Sequence, residues 1–282
     1  MTDKLKGKTV VVTGAAGTLC SEIAVDLAEL GAYVALIGRT EAKLAAVAER
    51  IRKAGGLCSV ETGDVTDEGR MREIAEKLGK EGRDCSILIN GAGGNQNPAV
   101  TKNNAYMEGE LEEEAGKACN GFFALDMGVF QSVLLTNTMG TVIPCRAFGS
   151  RMAAGGGGSI VNFASMNSYK PLSRVPAYAM SKAGIVNFTE WLAAYLAPAG
   201  VRVNAIAPGF FVNERSIKIL QKPEGGLTER GSNVISHTPM GRFGQAKDLL
   251  GCVRWLIDDE ASGFVTGVTV PVDGGFQAVS GV

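Results

Sequence analysis

Apolar positions along the chain follow two alternating rhythms. Short β-branched runs read as strands at Thr9–Thr13, Tyr33–Ile37, Leu57–Glu61, Ser86–Asn90, Ser159–Phe163, Arg202–Ile206 and Val268–Pro271. Longer amphipathic stretches between them predict helices over about Thr18–Leu30, Glu41–Lys53, Asp67–Lys80, Phe130–Ala153, Ala177–Leu196 and Gln245–Ile257. Strictly alternating strands and helices predict a single-domain α/β fold over residues 1–282, a Rossmann-like doubly wound parallel sheet of about seven strands with helices on both faces. Ligands of such sheets bind beyond the carboxyl ends of the strands.

Two segments break the rhythm. Asn95–Leu125 carries an acidic run (Glu108, Glu110, Glu112, Glu113, Glu114) without a strand pattern, and Phe210–Phe243 is a second long connection. Both leave the expected ligand side, where long excursions serve as lids or binding loops. The acidic run reads as a solvated face or helix start rather than a metal site, and Gly155–Gly158 as a helix-to-strand turn.

Composition narrows the function classes. With 28 basic and 29 acidic residues the chain carries a formal net charge of −1, so no field gathers nucleic acid. No stretch of about 18 apolar residues suggests a membrane span, and the first residues lack the apolar run of a signal peptide, so a soluble cytoplasmic protein is expected. The six cysteines (Cys20, Cys58, Cys85, Cys119, Cys145, Cys252) are widely scattered, which suits free thiols. The single histidine, His237, reads as a structural loop residue; no metal site is expected. Glycine is over-represented, 38 of 282 residues, and much of it falls where strands meet helices.

The first such junction, TGAAGTLC, follows the first strand and opens a helix. Small residues there let backbone amides approach a pyrophosphate, and the helix N-terminus adds its positive dipole end. Further on, Ser165 closes a glycine-led strand, Tyr178 follows thirteen residues later, and Lys182 lies one helical turn beyond. Tyr178 and Lys182, i and i+4, share a helix face, so the ammonium should favour the phenolate and draw the phenol down from about 10. The phenol could then exchange a proton with a carbonyl or alcohol oxygen.

These motifs resemble the short-chain dehydrogenase/reductase family over nearly the whole chain. Thr13, Gly14 and, shifted by one, Gly17 match its TGxxxGxG turn, while Thr18 and Cys20 replace the later glycines. Asp64 and Val65 look like the pair flanking the adenine ring; Asn90-Gly91-Ala92-Gly93 is similar to the NNAG element; Pro208-Gly209 matches the PG element beside the nicotinamide, with Asn213 where threonine is common. Val272-Asp273-Gly274-Gly275 matches the closing VDGG. The resemblance implies a nicotinamide cofactor held by Gly14, Ala16, Gly17, Thr18, Leu19, Arg39, Asp64, Val65, Asn90, Gly91, Ala92, Tyr178, Lys182, Pro208 and Gly209. It implies catalysis by Asn137, Ser165, Tyr178 and Lys182, with Ser165 holding the substrate oxygen, Lys182 gripping the ribose, and Asn137 seating a water that relays protons to the lysine.

At the end of the second strand Gly38 stands where an acid would hold the adenosine ribose, and Arg39 can face a 2′-phosphate, so NADP(H) is preferred with NAD(H) the alternative. The stretches NFTEWLAAYLAPAGVRVNAIAPGFF, HTPMGRFG and FVTGVTVPVDGGFQAVSGV, with GAGGN and SMN, are similar to the D-mannonate oxidoreductase or fructuronate reductase subgroup. A sugar-acid substrate needs a cation and amide side chains; Asn95, Ser165, Asn167, Lys170, Tyr178 and Arg215 are the candidates, with Asn97 and Arg174 also available. Another polyol, a gluconate-like acid or a 3-oxoacyl substrate stays open, as does a catalytically silent nicotinamide-binding regulator. A homo-oligomer, tetramer or dimer, is expected by resemblance.

Overall fold

The computed structural model describes residues 4–112, 121–212 and 217–279. Seven strands, β1 (Thr9–Thr13), β2 (Tyr33–Gly38), β3 (Leu57–Thr62), β4 (Cys85–Asn90), β5 (Gly158–Phe163), β6 (Val201–Pro208) and β7 (Thr269–Val272), form one sheet in the order β3-β2-β1-β4-β5-β6-β7. Every pairing is parallel. The connecting helices are α1 (Thr18–Glu29), α2 (Glu41–Lys53), α3 (Glu68–Lys80), α4 (Met127–Ala154), α5 (Pro176–Leu196), α6 (Ile217–Leu220), α7 (Glu229–Ser236), α8 (Lys247–Ile257) and α9 (Asp259–Ser262).

Alternation along the strands separates two cores. Val10, Val12, Leu36 and Ile89 meet α1, α2 and α8 through Ile23, Leu27, Leu44, Ile51, Leu249 and Leu256. Val11, Ala35, Ile37, Leu88 and Ile160 meet α3, α4 and α5 through Met71, Ile74, Leu78, Phe148, Met152 and Leu192. Because both sheet faces are covered, the five inner strands are mostly buried along their length, while the edge strands β3 and β7 are half-exposed.

Boundaries differ from the sequence reading where caps decide them. Asp126 accepts from the Val129 amide and starts α4 at Met127 rather than Phe130; Asp67 accepts from the Arg70 amide and is therefore a cap, outside α3. The connection 210–243 holds α6 and α7, which its weak periodicity conceals. Within 95–125 the described residues form two single 3₁₀ turns, Asn97–Ala99 and Phe122–Ala124, and no strand. Glu110 there is buried rather than solvated, accepting from the Met107 amide and the Asn103 amide group; Glu113, Glu114 and Cys119 lie outside the described residues. Gly155 caps α4, and β5 starts at Gly158, as the turn reading expects.

The sheet order reverses between β1 and β4, and their exit loops touch backbone to backbone. Gly14 has φ +63, and a Cβ on it would lie 2.8 Å from Ala92 Cα. The Ala92 amide donates to the Thr13 hydroxyl at 3.2 Å. Cys20, the residue replacing a family glycine, sets its sulfur where a Gly91 side chain would have to go. Gly91→Ala is therefore expected to destabilise the fold by about 1–3 kcal/mol through overpacking. Cys20→Ala in the same chain should recover most of the loss, because the next neighbour of that Cβ is the Thr13 carbonyl at 3.3 Å. Urea unfolding of the two singles and the double checks this; simple additivity would contradict it.

Candidate active site

At the carboxyl end of β5, Ser165 caps a 3₁₀ turn, Met166–Ser168, with a reciprocal capping box. Its hydroxyl accepts from the Asn167 amide at 3.2 Å, and the Ser168 hydroxyl accepts from the Ser165 amide while donating to the Lys182 carbonyl at 2.7 Å. One serine thus fastens the Ser165 turn to α5. Pro176 begins α5 with its ring at the first turn, and Tyr178 and Lys182 follow on one face.

The Ser165 and Tyr178 hydroxyls lie close enough for the serine to act on the phenol. Burial pushes the phenol above its ordinary value, and the Ser165 hydroxyl only partly offsets this. The expected lysine-driven lowering is thus corrected, and the reason lies in where the ammonium goes. Lys182 is buried, 4% exposed, and its Nζ donates to the Phe163 carbonyl at 2.6 Å, 5.7 Å from the Tyr178 ring centre. Desolvation pulls Lys182 down to about 8, with the neighbouring Cys20 opposing. Cys20 itself is pushed up to about 12 by burial, so it is a neutral thiol.

Asn137 is completely buried in α4, with both side-chain functions engaged. Its amide donates to the Gly94 and Val133 carbonyls, each at 2.8 Å, and its Oδ1 accepts from the Gly94 amide at 3.0 Å. The side chain thus clamps the loop after β4. Asn90 is also a strut: its amide donates to Asn162 Oδ1 at 2.9 Å and Cys145 Sγ at 3.1 Å, tying β4 to β5 and α4. Val65 is buried against Gly140 of α4.

Around the crevice, Gly17 caps α1 without a side-chain hydrogen bond; Gly17 and Thr18 are exposed, and Ala16 and Leu19 partly so. The first turn of α1 therefore presents its amides outward with no acid against them. Arg39 is exposed, 3.9 Å from Asp64. Burial would raise the Asp64 carboxyl, but the Thr66 amide and hydroxyl, then Arg39, hold it below the usual carboxylate value. Gly209 donates its amide to the Val272 carbonyl, packing so closely on Asp273 that a Cβ would lie 2.7 Å from it. A close-approach glycine turn, an uncapped helix end and a buried ammonium fit a dinucleotide laid from Arg39 toward Pro208-Gly209.

The substrate candidates separate. Asn167 accepts from the Leu172 amide at 2.9 Å and shapes the loop before α5. Asn95 accepts from the adjacent Gln96 amide. Lys170 is exposed, and its ammonium is taken by the Gln277 and Val279 carbonyls at 2.8 and 2.7 Å, so it tethers the C-terminal segment. Arg215, like Asn213, lies outside the described residues. His237 is a loop residue capping α7, its Nδ1 2.8 Å from the Asn233 carbonyl. Among the described residues no His, Cys, Asp and Glu cluster could hold a metal ion. Sequence reasoning missed Ser168, legible only as the second half of the capping box, and Phe163, whose contribution is a carbonyl and carries no residue signal.

Comparison with known proteins agrees with this geometry. The family model described as short chain dehydrogenase matches residues 8–223, and the chain belongs to the short-chain dehydrogenase/reductase family. It is an NAD(P)-dependent oxidoreductase of that family. An oxidoreductase of Bacillus subtilis strain 168 called UxuB, itself uncharacterized, is 43% identical over 99% of this chain and 98% of its own length. A solved Haemophilus influenza structure, provisionally named a D-mannonate oxidoreductase and holding NAD, is 40% identical with a TM-score of 0.93, covering 99% of this chain and 98% of that one. A gluconate 5-dehydrogenase of Burkholderia cenocepacia J2315, complexed with NADP and tartrate, is 25% identical with a TM-score of 0.81, covering 98% and 97%. No helix among the described residues is long and apolar enough to cross a membrane.

The buried lysine has a pH signature. Below about pH 8 folded and unfolded chains both hold its proton, and the folded state bears the full desolvation cost. Between about 8 and 10.5 only the unfolded chain holds it, so this group's contribution to stability rises with pH, by up to about 1.4 kcal/mol per unit. The stability difference between the native chain and Lys182→Met should therefore shift toward the native chain between pH 7 and 9.5 in urea melts. A difference independent of pH would show an ordinary, solvated ammonium.

Proposed function

We propose that this protein interconverts a secondary alcohol and a ketone on a sugar acid, with D-mannonate and D-fructuronate as the substrate pair. The observation that carries the chemistry is the buried Lys182 ammonium, held by the Phe163 carbonyl 5.7 Å from the Tyr178 ring centre, with Ser165 beside the phenol. A phenol raised by burial is an acid held in its neutral form, ready to protonate a carbonyl oxygen as charge develops there. Ser165 orients that oxygen, and Lys182, charged below about pH 8, offers a cation to the ribose and to the phenolate left behind. A bound nicotinamide supplies the hydride in reduction and accepts it in oxidation. In the oxidative direction Tyr178 takes the alcohol proton.

The sugar-acid assignment is supported by the provisional name of the Haemophilus relative; the gluconate 5-dehydrogenase likeness makes a gluconate-type acid the second reading. The excursion 95–125 is assigned as a wall of the substrate cleft, because Ala99 packs with Val133 and Ala177 into the small cluster that also holds Tyr178. A cytoplasmic homo-oligomer, tetramer or dimer, belongs to the same proposal, and the stacked, exposed Trp191 and Tyr195 on α5 suit an interface. NADP(H) is assigned ahead of NAD(H), because Gly38 offers no acid to the ribose and the exposed Arg39 can turn to a 2′-phosphate.

Tyr178→Phe should lower turnover about 10²–10⁴-fold, while the dissociation constant of the cofactor changes little, since only the proton-transferring hydroxyl is lost. Near-normal turnover of a uronate and aldonate panel by the variant would remove Tyr178 from the acid/base role. For the cofactor, titration is expected to show tighter NADP(H) than NAD(H), and Gly38→Asp should narrow or reverse the order. The new Cβ meets Leu44 Cδ2 at 3.2 Å, a contact that a small side-chain shift accommodates. Tighter NAD(H) binding by the native chain would return Arg39 to its surface pairing with Asp64.

A further inference from the structure

A sugar acid needs a cation at the end of its chain far from the reacting carbon, and Lys170 is spent on backbone carbonyls. Another pair of cations faces a cavity of about 330 Å³, between the loop that precedes α5 and the first turn of α7. Arg174 and Arg230 line it together with Asn104, Asn233, Phe210 and Phe276; the acid on its rim is Glu229. Its lining comes from segments that adjoin the catalytic residues along the chain. Leu172 is held by Asn167, two residues beyond Ser165, while Arg174 stands four residues before Tyr178. Phe210 follows Pro208-Gly209 and packs edge-on against Phe276, 5.4 Å between ring centres.

Arg174 is built into place. Among the described residues it is the one non-glycine residue with φ in the left-handed region, +81. Such a conformation persists where surrounding contacts over-determine it. Here Thr101 supplies them from both sides: its amide donates to the Arg174 carbonyl at 3.0 Å, and its carbonyl accepts from Arg174 Nε at 2.6 Å. Using Nε in this way fixes the guanidinium plane and leaves the terminal nitrogens to the cavity. Among the described residues neither arginine is ion-paired to a carboxylate, although thirteen other such pairs exist. Arg230 is instead pulled below its ordinary value by partial burial and then by the charge of Arg174, which means that two like charges share the space.

We propose that Arg174 and Arg230 jointly bind the substrate carboxylate and thereby select acids over neutral sugars. A carboxylate between them removes the repulsion and accepts planar, charge-assisted hydrogen bonds, which guanidinium groups make better than ammonium groups. Asn104 and Asn233 are then placed to meet hydroxyls, and the Phe210–Phe276 pair closes the apolar side.

This inference rests on the sugar-acid reading, so its test compares an acid with its neutral twin. D-fructuronate and its methyl ester are assayed with the native enzyme, Arg230→Gln and Arg174→Lys. The native enzyme should prefer the acid at least about tenfold in kcat/KM. In Arg230→Gln, whose side chain stands on an exposed helix turn, that preference should collapse to within about twofold, carried by KM for the acid rather than by kcat. Arg174→Lys keeps the charge but loses the planar fork, and should lie between. An undiminished acid preference in both variants overturns the inference and leaves the sugar-acid reading intact, as does an equal loss on acid and ester. No turnover of any uronate or aldonate by the native enzyme overturns the reading and the inference with it.

Discussion

The site depends on how closely two loop backbones can approach where the sheet order reverses. β1 and β4 lie side by side, but their chains leave in different directions, one into α1 and the other into the long excursion. Between neighbouring strands 4.7–4.9 Å apart there is no room for two side-chain-bearing exits. Gly14 lies against Ala92 because it has no Cβ, and Gly91 lies over Cys20 for the same reason. This contact leaves the α1 amides bare and opens the crevice beside them. The shifted glycine turn is consistent with this account. Where the family pattern has a glycine in α1, this chain has a cysteine, and its sulfur fills space that Gly91 leaves open.

The second constraint is electrostatic. A lysine buried this deeply costs free energy in its charged form, and the structure offsets that cost with one strong acceptor, the Phe163 carbonyl at the end of β5. That carbonyl is available because β5 stops there, and β5 stops because Ser165 opens the capping turn two residues later. Ser168 then returns a hydrogen bond to the Lys182 carbonyl, so the turn that carries Ser165 also sets the helix that carries Tyr178 and Lys182. Asn137 performs the equivalent task across the crevice by holding Gly94 from α4. The reactive hydroxyls are thus held by a rigid shell, which is what proton transfer at a fixed distance requires.

Legibility in the sequence follows the range over which each interaction is decided. The five inner strands are readable because burial on both faces forces nearly continuous apolar runs, the edge strands β3 and β7 from their β-branched residues, and Tyr178 and Lys182 because i and i+4 share a helix face. The side-chain partners of Asn90 and Asn137 are not readable, because an amide's orientation is set by residues 72 and 43 positions away. Lys170 and Arg230 show the same limit in opposite senses. The first looks free and is tethered to the C-terminal segment, while the second sits in a connection without periodicity and reaches a cavity that only the folded chain creates. The phenol's direction of shift is also a tertiary fact, because adjacency to a lysine says nothing about where the ammonium points.

A division of labour follows from these ranges. Local pattern builds the sheet and the proton-transfer pair, which any member of the family needs whatever it oxidises or reduces. Long connections, 95–125 and 210–243, meet the rest of the fold at several points, among them Thr101 on Arg174, Ala99 beside Tyr178, Phe210 on Phe276 and Met240 on Gly274. At each of those points the connection takes part through its own backbone or through an apolar contact. The loops can therefore change their side chains without disturbing the acid, the serine or the lysine. On the proposed reading, substrate choice falls to Arg174 and Arg230, residues whose sequence signal is weak because the folded chain alone brings them to one cavity.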